Sequence, residues 1–196
     1  MENKPRIDRR TIKTKRAMHN ALVELASMKP IGRITVKELT EKADVNRKTF
    51  YSHYTSIEDV LNEIEDEIIE KIYAVFKEAT STANIIENPY CLFESINGAI
   101  NSDTDFYRNY ICSGAGNLMK TKVKNLFKQA GIELLKDVLP VPKEKVEILM
   151  EYVSSGVIAL YISWFKNETT ASLEEIAHIS GTLASRGLEG FRLNQK

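Results

Sequence analysis

The residues best equipped for chemistry form a short basic and aromatic run, Arg47-Lys48-Thr49-Phe50-Tyr51-Ser52-His53-Tyr54. Arg and Lys donate to guanine edges in a major groove, and Thr, Tyr and His can hold phosphate oxygens. At helical spacing Phe50 and Tyr54 share one apolar face, which leaves Arg47, Lys48, Thr49, Tyr51 and His53 pointing outward. That is the chemistry of recognition rather than of bond making. The chain has no G-x-S-x-G, no Gly-rich phosphate loop and no H-E-x-x-H. Glu174 and Glu175 stand at a helix start, where adjacent carboxylates complement the dipole. His19, His53 and His178, with Cys91 and Cys112, lack metal-ligand spacing. The expectation is a protein without catalytic residues, metal or cofactor, and not an enzyme.

The basic run needs a rigid mount, and the residues before it supply one. Thr35 is a helix N-cap and Glu38 completes a capping box. Val36, Leu39 and Ala43 then repeat on one face. Asp44 and Asn46 break the pattern, and Asn46 caps a second helix over Arg47 to His53. Two short helices joined by a tight turn, with the reading helix second, form a helix-turn-helix. A first helix runs from a cap at Asp8 to about Met28, apolar along Met18, Ala21, Leu22, Leu25 and Ala26. Its exposed start carries Arg9, Arg10, Lys13, Lys15 and Arg16, charges that release counterions from a phosphate backbone. Lys29-Pro30-Ile31-Gly32 ends it. The DNA contacts expected are Thr35, Asn46, Arg47, Lys48, Thr49, Tyr51 and His53, with Arg9, Arg10 and Lys13.

The formal net charge of zero conceals an asymmetry. Residues 1–56 hold 13 Lys and Arg against 6 Asp and Glu, whereas residues 57–196 hold 14 against 21. A basic head on an acidic body suits a DNA reader carried by a second module. A helical adaptor whose basic head binds a protein or RNA is the competing reading; the capped two-helix geometry favours duplex DNA over RNA. No apolar segment follows Met1, and the apolar run from Val157 to Phe165 is short of a membrane span. Free thiols and no membrane contact point to the cytoplasm.

Beyond the turn, Ser56 and Asp59 form another capping box opening a long helix to about Glu78. Val60, Leu61, Ile64, Ile68, Ile72, Val75 and Phe76 make its apolar stripe; Glu63, Asp66, Glu67 and Glu70 read as a solvated face. A loop follows over 80–89. Shorter helices follow over about 90–100, 103–113 and 117–138, punctuated by Gly114, Gly116, Pro140 and Pro142. Nothing alternates as a strand would. Lys143 to Phe165 is apolar on nearly all sides and must be buried all round, one side on its own core and the other on a second subunit. Ser154, Ser155, Gly156 and Ala159 are small enough for close helix approach. A final helix runs from Leu173 to Phe191. The fold class is all-α, with a DNA-binding domain over 1–55 and a second helical domain over 56–196. Residues 56–78 form the connecting helix.

Over about residues 9–61 the chain resembles the TetR-type (TetR/AcrR) transcriptional regulators. The resemblance rests on the basic first helix, Ile34-Thr35-Val36, and Thr49 through Tyr54 followed by Ser56-Ile57-Glu58-Asp59-Val60-Leu61. It implies a homodimer on an inverted-repeat operator in double-stranded DNA, switched by a small-molecule or protein effector. The last two helices resemble that family's antiparallel dimerisation pair, with Val157, Leu160, Tyr161, Trp164, Ile176, Leu183 and Leu188 at the interface. An effector pocket would draw on Tyr107, Tyr110, Cys112, Met119, Phe127, Tyr152, Tyr161 and Trp164. Two positions depart from the family's pattern. Asp44 stands where Gly is common, which predicts a less strained turn backbone. Ile57 replaces a usual Lys, which predicts one phosphate contact fewer.

Overall fold

The computed structural model describes residues 9–81, 88–113, 116–136, 139 and 141–193, and it contains no strand among them. The N-terminal arm with its cap at Asp8, the centre of the expected loop at 82–87, Gly114 and Pro140 lie outside the described residues. So does the side chain of Phe191. The helices are α1 (Arg9–Met28), α2 (Val36–Lys42), α3 (Arg47–Tyr51), α4 (Ile57–Ser81), α5 (Tyr90–Asn101), α6 (Thr104–Cys112), α7 (Gly116–Leu135), α8 (Lys143–Phe165) and α9 (Leu173–Leu193).

Apolar side chains collect into two cores. The first joins Met18 and Leu22 of α1, Leu39 of α2, Phe50 of α3, Val60 and Ile64 of α4, and Tyr107 and Tyr110 of α6. The second joins Phe76 of α4, Phe93 of α5, Phe127 of α7, Met150 and Tyr161 of α8, and Ile176 and Ala177 of α9. Several helices reach both, α7 through Met119 and Phe127 and α8 through Phe165 and Val157. The stripe of α4 does so too, with Ile72 packed against each cluster. α4 thus runs from the core beneath α3 to the second core.

Two helix ends are closed by the same backbone device. At the end of α2, Val45 N–H donates to Thr40 C=O at 2.9 Å and Asp44 N–H to Glu41 C=O at 3.3 Å. This is the Schellman arrangement, and it requires a left-handed residue at the position of Asp44. Asp44 takes φ 53. The expectation of a less strained turn is thus overturned: the aspartate bears the left-handed conformation that glycine would take without a steric cost. The end of α8 repeats the device, with Asn167 at φ 56 and Glu168 N–H donating to Ser163 C=O at 2.9 Å. Aspartate and asparagine are the non-glycine residues that tolerate this region best.

Close approach explains one glycine. A Cβ at Gly181 of α9 would lie 3.1 Å from Tyr90 Cα, so the start of α5 rests directly on α9. α8 spans the expected Lys143–Phe165 and, by length and composition alone, is long and apolar enough to cross a membrane. In the fold it packs on α7 and α9 and buries Val146, Leu149, Met150, Val157, Tyr161 and Phe165 within the protomer. The all-round apolar helix is covered on that side. Its outer side leaves Ile148 and Tyr152 63% and 80% exposed.

Candidate nucleic-acid interface and effector cavity

α3 is only five residues long, and its direction is set at both ends. Asn46 Oδ1 accepts from Lys48 N–H at 2.8 Å, so this side chain caps the helix. Phe50 is fully buried beneath, its ring edge-on to Tyr51 with centroids 5.2 Å apart. Arg47, Lys48 and Tyr51 are exposed, and Thr49 and His53 are half-buried. The helix ends at Tyr51, two residues before the expected end, and the Ser52 hydroxyl donates to Thr49 C=O at 2.7 Å. His53 therefore stands in the turn after α3, not on it.

Thr35 is likewise occupied by capping. Glu38 N–H donates to Thr35 Oγ1 at 3.3 Å, and Thr35 N–H donates to the Glu38 carboxylate at 2.9 Å. Lys29 and these Thr35 donors hold the Glu38 carboxyl down at about 2. Asp59 is lowered in the same way by Thr55 and then Ser56, which fixes the start of α4. Ile57 is buried against the first core, which explains an apolar residue there.

The basic start of α1 divides. Arg9, Arg10 and Lys13 lie on the exposed side. Lys15 instead pairs with Glu63, and Arg16 with Asp103 while lying over the Phe106 ring at 4.5 Å. These two charges, expected on the outer face, tie α1 to α4 and α6. Glu63, expected in solvent, is an internal partner. Its carboxylate also receives the Tyr54 hydroxyl and lies 3.1 Å from His19 Nε2.

His19 is 1% exposed, and burial lowers its pKa against the pull of Glu67 and Glu63. Burial works against the Glu63 charge, but the bonds from Lys15, Tyr54 and His19 outweigh it and lower its carboxyl. Tyr54 is pushed above the ordinary phenol range by burial and then by Glu63. His19, Glu63 and Glu67 bring ligand atoms within 4.8 Å of one another, a grouping that sequence spacing did not reveal. Lys15 and Tyr54 already satisfy Glu63, so the cluster reads as a polar seam between α1 and α4.

A cavity of about 130 Å³ lies between α4, α5, α6, α7 and α8. Tyr107, Tyr110, Met119, Phe127 and Tyr161 line it, as the aromatic run suggested. Cys112, Tyr152 and Trp164 do not. Cys112 is exposed, with Sγ directed at Phe165 C=O. Tyr152 faces outward from α8, and Trp164 lies under Arg108, 4.9 Å from ring centroid to guanidinium.

The remaining wall is apolar, from the stripe of α4 and from Ile96, Ile100, Val157 and Ile162, with Lys71 and Lys120 as its charged members. The phenols turn their oxygens outward. Tyr161 donates to Asn97 Oδ1 at 2.9 Å, Tyr110 to Glu65 at 3.2 Å, and Tyr107 accepts from Lys71 at 3.2 Å. Burial raises both the Tyr110 and the Tyr161 hydroxyl above the ordinary phenol range. Lys122 closes the other side of Glu65, itself 2% exposed. Asn97, Glu65 and Lys71 escaped the sequence reading because each is one polar letter in an amphipathic helix.

The residues expected between subunits separate by burial. Leu183 is exposed, Leu160, Trp164 and Leu188 are half-buried, and Val157, Tyr161 and Ile176 are buried inside the protomer. Leu183, Ile148, Tyr152 and Leu160 share a broad open depression along α8 and α9.

Comparison with known proteins agrees with this architecture. The family model for bacterial regulatory proteins of the tetR family matches residues 20–64, and a C-terminal region model of TetR transcriptional regulators matches residues 87–186. The uncharacterized HTH-type transcriptional regulator YxbF of Bacillus subtilis (strain 168) is 36% identical over 61 residues. That stretch covers 31% of this chain and 16% of the relative's length. A transcriptional regulator of Aquifex aeolicus VF5 superimposes with a TM-score of 0.61 at 22% identity, over 90% of this chain and 98% of its own. The TetR family regulator PfmR of Thermus thermophilus gives 0.64 at 19% identity, over 88% and 98%. With both ends of the chain matched by its models, this protein belongs to the TetR family of bacterial transcriptional regulators.

Proposed function

We propose that the chain works as a homodimer that reads an inverted-repeat operator with α3 of each subunit and is released or recruited by an effector in the body. The observation that carries this is the build of α3: a fully buried Phe50 beneath, a cap and a Schellman turn fixing its direction, and Arg47, Lys48 and Tyr51 exposed outside. In this reading Arg47 and Lys48 meet base edges. Tyr51, Thr49 and His53 hold phosphates, and Arg9, Arg10 and Lys13 add sequence-independent affinity. Thr35 and Asn46 act through the caps they form, orienting backbone N–H groups rather than choosing bases.

The division at residue 55 separates reader from body, and α4 couples them. The depression along α8 and α9, with Ile148, Tyr152 and Leu183 exposed, supports a dimer surface of this chain's own. Leu160 and Val157 also line it, whereas Trp164, Leu188, Tyr161 and Ile176 do not. The effector, a small molecule or a protein partner, would bind the two positions of α4 unequally.

Fluorescence anisotropy on a labelled duplex tests the reading. Wild type is expected to bind with a steep salt dependence, and the double variant Arg47→Ala/Lys48→Ala to lose at least about 2 kcal/mol. Sedimentation is expected to give a dimer that Leu183→Glu dissociates. Unchanged duplex binding by the double variant would remove α3 from the role.

A further inference from the structure

We propose that the cavity between α4 and α8 takes an uncharged, wholly apolar molecule, a hydrocarbon the size of a small aromatic ring. The inference rests on reading this cavity as the effector site and adds the chemical class of the ligand. Aliphatic side chains of four helices build its wall, among them Ile68, Ile72, Ile96, Val123, Ile158 and Ile162, with aromatic rings between them. Each phenol there spends its oxygen on a partner: Tyr110 on Glu65, Tyr161 on Asn97 and Tyr107 on Lys71. Glu65 and Asn97 are not part of the wall. Lys71 is exposed, so it lends the wall its methylene stem and keeps its ammonium in water beside the Tyr107 hydroxyl. Among the described residues, Ser180 Oγ is the buried side-chain polar atom without a partner, and Ser180 is not in this wall. Almost no polar surface faces the cavity.

A void of about 130 Å³ is large for a protein interior, where gaps bigger than a water are few. Water gains nothing by filling it, because a buried water needs several polar partners. A dry apolar cavity of similar volume takes up benzene or xenon, and the same fit limits the occupant here to about six to eight carbons. A carboxylate, ammonium or hydroxyl carried inside would lose its hydration without gaining a hydrogen bond, so the site selects against each. The occupant packs against Ile68 and Ile72 of α4, the helix that runs on to the core beneath α3.

Titration calorimetry on the intact protein with toluene, phenol, benzylamine and benzoate tests the assignment, since the four share a ring and differ in the group it carries. Toluene is expected to bind at least about tenfold more tightly than phenol, and benzylamine and benzoate to give no saturable heat. Ala99→Phe and Val123→Phe, which fill the cavity from α5 and α7, should each weaken toluene binding by at least about tenfold. Toluene should raise the melting temperature of wild type and leave that of the folded variants unchanged. If neither variant folds, the order of the four ligands on wild type decides. Equal affinity for toluene and phenol, no heat from toluene up to its solubility, or undiminished binding in a folded filled variant would overturn the proposal. A separate readout of duplex binding keeps the two claims apart. Toluene that binds without altering duplex affinity upholds the ligand class and refutes the switch. Duplex affinity altered by phenol or benzoate but not by toluene supports the switch and overturns the apolar class.

Discussion

Replacing Asn97 by Ala should destabilise the body far more than a surface Asn would. Asn97 is 7% exposed on α5 and joins three helices: its amide donates to Leu173 C=O at 2.7 Å, and its Oδ1 accepts from Tyr161 at 2.9 Å. Each bond contributes about 1 kcal/mol net, and a buried phenol left without an acceptor costs a further 1–3 kcal/mol, roughly. The sum predicts a loss of about 3–5 kcal/mol. Tyr161→Phe removes one bond and strands only the Asn97 oxygen, which predicts about 1–2 kcal/mol. Because the two changes remove the same bond, the double variant should cost less than the sum of the singles by about 1 kcal/mol. Urea titrations of the four proteins followed by circular dichroism measure the cycle, and thermal melts should shift by roughly 2–4 °C per kcal/mol at this chain length. Costs that add within the error of the cycle would refute the hub, as would an Asn97→Ala protein as stable as wild type.

The turn between α2 and α3 makes a prediction of opposite sign. Asp44→Gly should raise stability by up to about 1 kcal/mol and Asp44→Val should lower it, since φ 53 suits glycine and penalises a β-branched residue; denaturant midpoints read both. Phe50→Ala, at a fully buried ring, should cost about 3–5 kcal/mol and abolish duplex binding through loss of the fold around α3, seen as a lowered melting temperature. The buried His19 has its pKa lowered from 6.5, chiefly by burial, so the unfolded chain binds a proton that the folded one resists. Stability should accordingly fall as pH drops below about 6.5, and His19→Gln should flatten that part of the melting-temperature profile relative to its own value at neutral pH.

Much of the reader module was legible because its signals are local. Thr35 with Glu38, Ser56 with Asp59, and Asn46 before α3 each specify a cap within a few residues, and Phe50 and Tyr54 fall where helical spacing puts them. The ends of α8 were legible too, bounded by Pro142 and a Schellman turn. What escaped needs distant partners. Glu63 looked solvated because its neighbours in sequence are acidic, but Lys15 and His19 come from 48 and 44 residues away. Tyr152 belongs to an aromatic-rich stretch and still faces outward, because helix phase, not composition, decides which aromatics meet the cavity. Asp44 misled differently: its backbone conformation follows from the hydrogen bonds around it, which the residue type alone does not disclose.

The central claim is that α3, doubled by a two-fold axis, reads duplex DNA. Selection from a pool of random duplexes by the purified protein, at near-physiological salt, tests it most directly. The account predicts enrichment of an inverted repeat whose half-site centres are separated by about 34 Å or a multiple of one helical turn. Its affinity should fall steeply with added salt. A pool that yields no enriched sequence, an enriched site without two-fold symmetry, or a preference for RNA over duplex DNA would contradict it.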